Sequence, residues 1–287
     1  MKINDFKCTY VNSVGISNEI TKKLNLTFPE AYLNYESMVK LSLEIRQQEN
    51  ASYCELPFCH TVEAEAMGGV INLGNGEYGP RAKSYICDTV EDLINLSSID
   101  FDKGRISEVL KACKLLKEEG ENVALMISGP FTILNILMDT TLVFKALKKE
   151  KEKMKIVFDK FQKELLRFIE KAIDSGVNII SYADSSGALN IIGPKNMEYM
   201  VDNFTYPFLK EAEEIVRGKG QIFLCPKTSL SLIGTEKAVW NDILIKGNKK
   251  YVDACLEVKD KAPMVGQMCI KNNSFEVKKF IKAIELI

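Results

Sequence analysis

The sequence predicts an α/β protein built as a TIM (β/α)8-like barrel. The first observation is a recurring short apolar run closed by turn residues: Val123 to Ile127 stops at Ser128-Gly129-Pro130, and Val177 to Asp184 stops at Ser185-Ser186-Gly187. Runs of that kind are expected of strands buried on both faces. The second observation is what lies between them. From Met154 the apolar positions 154, 157, 158, 161, 165, 168, 169 and 172 follow one helical face, with lysines and glutamates opposite. Alternating strands and amphipathic helices imply parallel βαβ units, whose right-handed crossovers wind round a barrel or along an open doubly wound sheet. The barrel is preferred because 287 residues suit a single barrel of roughly 250 residues.

Each element follows in chain order, with residues 1–287 read as one domain. Within residues 1–50, weak helical patterning around Tyr35 to Arg46 predicts a helical cover for the barrel bottom. Tyr53 to Pro57 reads as a strand. Residues 70–85 include the glycine-rich Ile71-Asn72-Leu73-Gly74-Asn75-Gly76-Glu77-Tyr78-Gly79-Pro80, too short for a crossover helix and expected to form a hairpin or lid over the mouth. Glycines 74, 76 and 79 do not make a phosphate loop, since no buried strand leads into them and no helix directly follows. Pro194-Lys195 opens a second helix that Gly218 to Gly220 ends. The apolar runs Gln221 to Cys225 and Ala262 to Gly266 complete the pattern.

Hydrophobic residues make up 46%, charged residues 27%, and the net charge is −1 without blocks of one sign. Neither disorder nor a nucleic-acid partner is implied. No stretch is suited to crossing a bilayer or directing export, so a cytoplasmic protein without a membrane partner is expected. The eight cysteines (8, 54, 59, 87, 113, 225, 255 and 269) are then expected as thiols, mostly buried. Cys225 and Cys269 stand apart: each lies at or just past the end of a strand-like run, so a barrel would bring both to one mouth as a metal site or a reactive pair. The plain alternative is inert buried thiols. Asp184, at the end of another run, is read as catalytic, or else as an N-cap for the segment beginning at Ser185.

The wording Pro57-Phe58-Cys59-His60-Thr61-Val62-Glu63-Ala64-Glu65-Ala66-Met67-Gly68-Gly69 and Gly79-Pro80-Arg81-Ala82-Lys83 resembles the uroporphyrinogen decarboxylase superfamily, in particular its methylcobamide:coenzyme M methyltransferase branch. Further matches are Ile127 to Thr132, Tyr182 to Ser186, Ile192 to Lys195, Cys225 and Cys269, so the resemblance covers about residues 20 to 285. It implies a (β/α)8 barrel that binds zinc through a His-x-Cys pair and a cysteine near the C-terminus. Cys225 and Cys269 fall on the cysteine positions, whereas Phe223 replaces the histidine. The stretch between the two cysteines is short by about one βα unit of such a barrel.

The implied reaction moves a methyl group from a methylated corrinoid, carried by a separate corrinoid protein, to a small-molecule acceptor such as a thiol activated by zinc. His60, the single histidine, is the candidate third ligand, or else a loop histidine bonded to backbone. Glu65 matches the family's wording as a catalytic group, although Glu63 and Glu65 at a helix start could equally offset its dipole. Arg81 and Lys83 could bind an anionic acceptor or the corrinoid, or form a solvated lid edge. Two other functions stay open: a metal-free tetrapyrrole decarboxylase in which Asp184 contacts pyrrole nitrogens, and a non-catalytic remnant that binds a corrinoid protein.

Overall fold

The computed structural model describes residues 16, 18–75 and 78–287; Cys8 and Gly76 lie outside them. In chain order, α1 (Asn18–Lys23) and α2 (Tyr35–Gln48) precede β1 (Cys54–Leu56) and α3 (Val62–Ala66). The side chain of Asn34 starts α2 by accepting the backbone N–H groups of Glu36 and Ser37. The helix then packs on β1, where Ser42 Oγ donates to the carbonyl of Glu55 at 3.0 Å. The hairpin β2 (Val70–Asn72) and β3 (Arg81–Ser84) follows, then α4 (Val90–Ile94), α5 (Gly104–Glu118) and β4 (Val123–Ser128). As the glycine pattern implies, β2 and β3 are antiparallel, and Gly74 turns the chain at φ +76°.

After β4 come α6 (Pro130–Leu137), α7 (Thr140–Lys149), α8 (Lys151–Asp174) and β5 (Ile179–Ala183). All eight apolar positions expected on one face of α8 are buried. Glu164 shares that buried face, where its carboxylate accepts the Ile99 N–H at 3.0 Å and pairs with Arg167 at 2.7 Å. Next are α9 (Leu189–Met200), a π-helical turn (Val201–Thr205), α10 (Tyr206–Val216) and β6 (Gln221–Leu224). The helix expected from Pro194 does open there, since Gly193, at φ 74°, separates it from the short turn before, but a π turn interrupts it at Val201–Thr205.

The last elements are α11 (Pro226–Gly234), β7 (Ala238–Leu244), β8 (Lys249–Lys250), α12 (Tyr251–Glu257), β9 (Met264–Val265), β10 (Glu276–Val277) and β11 (Phe280–Leu286). The principal sheet runs β1-β4-β5-β6-β9-β11-β7. Its first five strands are parallel, as the alternating pattern requires. The fold is TIM-barrel-like, but its final strands depart from strict βα repetition. β11 runs antiparallel to both β9 and β7, so an antiparallel pair replaces the last crossover units.

β1 and β7 end the strand order and share no ladder among the described residues. Side chains bridge β1 to the segment after β9 instead. Tyr53 Oη donates to the Ile270 carbonyl at 3.1 Å, Lys271 Nζ meets Glu55 at 2.8 Å, and Asn273 donates to Glu49 at 3.2 Å. These contacts place the segment carrying Cys269 beside β1.

Strand alternation sorts the side chains. Val123, Leu125 and Ile127 of β4, like Ile180 and Tyr182 of β5, join the large core beneath the helices. Ala124, Ile179, Phe223 and Val265 point the other way into a second core with Tyr251 and Cys255. Phe223, where the family resemblance implies a histidine, packs edge-on to Tyr251 with centroids 6.1 Å apart. Met126 and Ser181, opposite each other in the ladder, line a cavity next to that inner core.

Candidate active site

Parallel strands present their carboxyl ends at one face, and five segments converge there. β6 runs into Cys225, whose carbonyl accepts from Thr228 N at 2.8 Å and Ser229 N at 3.1 Å, so the cysteine stands at the N-terminus of α11. Ser229 Oγ donates to the Gly266 carbonyl at 2.9 Å. Only glycine fits at 266, because a Cβ would lie 2.0 Å from that hydroxyl. Anchored at Gly266 by α11 and at Ile270 by Tyr53, the intervening turn holds Cys269 at the same mouth.

Cys225, Cys269 and His60 line one cavity of about 230 Å³ with Met126, Ser181, Phe223, Leu224 and Ile270. The seven described cysteines form no disulfide; five are buried, and Cys225 and Cys269 are half-buried. The expected convergence of the two thiols on one cavity is therefore what the structure contains. Two lysines that the motifs did not single out, Lys227 and Lys271, share the lining. A sequence signal existed for both, since each cysteine is followed two positions later by a lysine. Burial opposes the charge of Lys271, but Glu55 beside it, with Cys269 and Glu49, more than offsets this and raises its pKa.

His60 sits in the turn between β1 and α3. Burial, reinforced by Lys271, pushes its pKa down to about 4, so the imidazole is neutral near pH 7. Its Nδ1 lies 3.4 Å from Ser128 Oγ at the end of β4. Glu63, 1% exposed, accepts the Ser128 backbone N–H at 2.7 Å and its hydroxyl at 3.1 Å. Burial raises the Glu63 pKa, while those two hydrogen bonds and Arg105 work against the rise.

Glu65, the carboxylate favoured by the family wording, is engaged elsewhere. The Arg105 guanidinium donates to Glu65 through Nε at 2.6 Å, to Cys59 Sγ through Nη1 at 3.1 Å and to Thr61 Oγ1 through Nη2 at 2.7 Å. This buried fork pins the turn that carries His60. Glu65 is absent from the cavity lining, as are Arg81 and Lys83, which are exposed on β3. The Arg81 guanidinium stacks 5.6 Å from the Tyr78 ring centroid.

Asp184 caps a helix, though not the one beginning after Ser185. The N-cap of α6 is Gly129, which has no side chain, and Asp184 supplies the missing oxygens from the neighbouring strand. It accepts Phe131 N at 3.1 Å, Thr132 N at 2.8 Å and Thr132 Oγ1 at 2.7 Å. A Cβ on Gly129 would lie 2.3 Å from Asp184 Cβ, so glycine at the cap and aspartate across from it are one device.

Zinc, implied by the resemblance, needs soft or imidazole donors around one point. Cys225 and Cys269 supply two thiols to the lining of the cavity. Among the described residues, however, no three His, Cys, Asp or Glu side chains are gathered as a metal group, so the expected trio with His60 is not assembled. The donor chemistry fits for the two cysteines alone.

A TIM-barrel-like fold with a thiol-lined cavity at the carboxyl ends of its strands defines the class of protein. The profile of the uroporphyrinogen decarboxylase (URO-D) family matches residues 15–269. The chain belongs to that family. It is 24% identical over 196 residues to a methylcobamide:CoM methyltransferase, MtaA, of Methanosarcina barkeri, covering 67% of this chain and 58% of that protein. It is also 24% identical over 193 residues to a methylcobamide:CoM methyltransferase, MtbA, of Methanosarcina mazei, covering 66% of this chain and 56% of that protein. The chain thus spans little more than half the length of these curated relatives. A solved structure described as a methyltransferase from Methanosarcina mazei superposes with a TM-score of 0.64 at 21% identity, covering 79% of this chain and 69% of that one. Among the described residues, no helix is long and apolar enough to cross a membrane.

Proposed function

We propose that the protein is a corrinoid-dependent methyltransferase, moving a methyl group from a methylated corrinoid on a separate protein to a small thiol. The observation that carries this reading is the meeting of Cys225 and Cys269 on one cavity at the carboxyl ends of the strands, in a chain whose curated relatives are named methylcobamide:CoM methyltransferases. Cys225 and Cys269 would hold zinc. A zinc ion there supplies Lewis acidity that favours the thiolate form of the acceptor. The cavity's apolar walls, Met126, Phe223 and Leu224, exclude water from the sulfur, and Lys227 and Lys271 favour negative charge in the cavity. Thiols rather than disulfides accord with a cytoplasmic setting.

The decarboxylase alternative asks Asp184 to face substrate. Its oxygens are committed to the start of α6, which favours methyl transfer.

The test is metal content and turnover together. The purified chain is expected to contain zinc and to demethylate methylcobalamin when 2-mercaptoethanol is supplied, and the double variant Cys225→Ser, Cys269→Ser is expected to lose both. His60→Ala is expected to keep its zinc. Equal zinc in the wild type and the double variant would remove the cysteines from the site, and a wild type inactive toward methylcobalamin would overturn the reaction.

A further inference from the structure

The proposed reaction releases a proton, because the acceptor enters as a thiol and leaves as a thioether. Cys225 and Cys269 cannot take that proton while they act as zinc ligands. One neutral base lines the same cavity, and hydrogen counting around it shows which of its nitrogens is available.

Ser128 has two hydrogens to donate, one on the backbone nitrogen and one on the hydroxyl. They meet the two oxygens of Glu63, at 2.7 Å and 3.1 Å. With Glu63 ionised its oxygens only accept, so the hydroxyl hydrogen belongs to Glu63 and Ser128 Oγ can only accept from His60. The hydrogen between Oγ and Nδ1, 3.4 Å apart, therefore sits on Nδ1. A neutral imidazole carries one N–H, which leaves Nε2 with its lone pair. Among the described residues Nε2 has no hydrogen-bond partner, and it is not sealed in the core.

Resting on the methyl-transfer reading, we propose that His60 Nε2 takes the acceptor's sulfhydryl proton, and that Glu63, acting through Ser128, is the positioning residue that keeps the lone pair there. The S–H bond breaks with its electron pair left on sulfur, and the proton bonds to Nε2. As it does so, the Nδ1 hydrogen passes to Ser128 Oγ, and the hydroxyl's own hydrogen passes to Glu63 Oε2. The products are a thiolate, a neutral His60 protonated on Nε2, an unchanged Ser128 and a neutral Glu63 carboxyl. No imidazolium accumulates, in keeping with the burial and the Lys271 charge that disfavour one at this position. Glu63 suits the end of the chain, since its buried carboxylate gains by taking a proton, with Arg105 the nearby charge acting against it.

The chain has one histidine, so selective 15N-histidine labelling of the full protein gives one imidazole to read. NMR of the wild type is expected to show Nδ1 protonated and Nε2 bare. In Glu63→Gln the amide N–H donates to Ser128 Oγ and turns the hydroxyl toward Nδ1, so the hydrogen is expected to move to Nε2. With methylcobalamin and 2-mercaptoethanol, the same variant is expected to lose about 100-fold in kcat, the order of a general-base effect, with KM little changed. Should Glu63→Gln fail to fold, Ser128→Ala is read instead and is expected to lose the single-tautomer signature. A wild type protonated on Nε2, or a folded variant of either kind that keeps the wild-type tautomer, overturns the inference. A wild type with bare Nε2 but no turnover overturns the methyl-transfer reading and the proton step with it, whereas turnover with the hydrogen on Nε2 overturns this inference alone.

Discussion

Replacing Asp184 with alanine distinguishes a structural role from a chemical one. Asp184 holds three hydrogens, on Phe131 N, Thr132 N and Thr132 Oγ1. The first two are N–H groups in the first turn of α6, which Gly129 cannot cap itself. Losing an N-cap costs about 0.5–2 kcal/mol, and each buried donor left unsatisfied costs about 1–3 kcal/mol. The Thr132 hydroxyl can rotate to another acceptor, so the two backbone groups dominate, and the expected loss is about 3 kcal/mol. Urea unfolding followed by far-UV circular dichroism reads it as a lower midpoint at unchanged slope. Asp184→Asn, which keeps one acceptor oxygen, is expected to lose roughly half as much. If Asp184→Ala unfolds with less than about 1 kcal/mol of loss while turnover collapses, the capping argument is refuted and Asp184 belongs to the chemistry.

The same geometry predicts that Gly129→Ala, which drives a Cβ to within 2.3 Å of Asp184, destabilises by about 2 kcal/mol or more; unchanged thermal stability would contradict the close approach. Arg105→Met removes the fork holding Glu65, Cys59 and Thr61. It is expected to cost about 3 kcal/mol, the low end for a buried ion pair because Glu65 is partly exposed, as denaturant midpoints would show. The His60 pKa is lowered from 6.5 to about 4 on folding, so between those values the unfolded chain binds the extra proton. Stability should accordingly fall as pH drops from 6.5 toward 4 and be flat above, by up to roughly 3 kcal/mol in all. His60→Gln should remove that part of the slope, and an identical pH profile in the variant would show that His60 is not the group.

How much of the site was legible depended on whether the signal lay within one element. Cys225 and Cys269 were marked by their position at or beyond apolar runs, which is enough to send two side chains to one mouth. Lys227 and Lys271 each follow one of these cysteines by two positions but carry no periodic signature, and the Ser229 and Tyr53 anchors hold the two segments together at the mouth. Glu63 and Glu65 are two residues apart on one short helix, and sequence wording favoured Glu65. The structure buries Glu63 against Ser128, 65 residues away in the chain, and turns Glu65 to Arg105.

The sequence alone determined the parallel α/β core: the continuous apolar runs of β4 and β5 and the three-and-four spacing of α8 follow from backbone geometry and burial within each segment. Only the tertiary structure decided that β11 pairs antiparallel with β9 and β7, that side chains bridge β1 to the segment after β9, and that Asp184 caps α6. Those outcomes depend on hydrogen-bonding groups meeting partners far along the chain, and such partners leave no period in the local sequence.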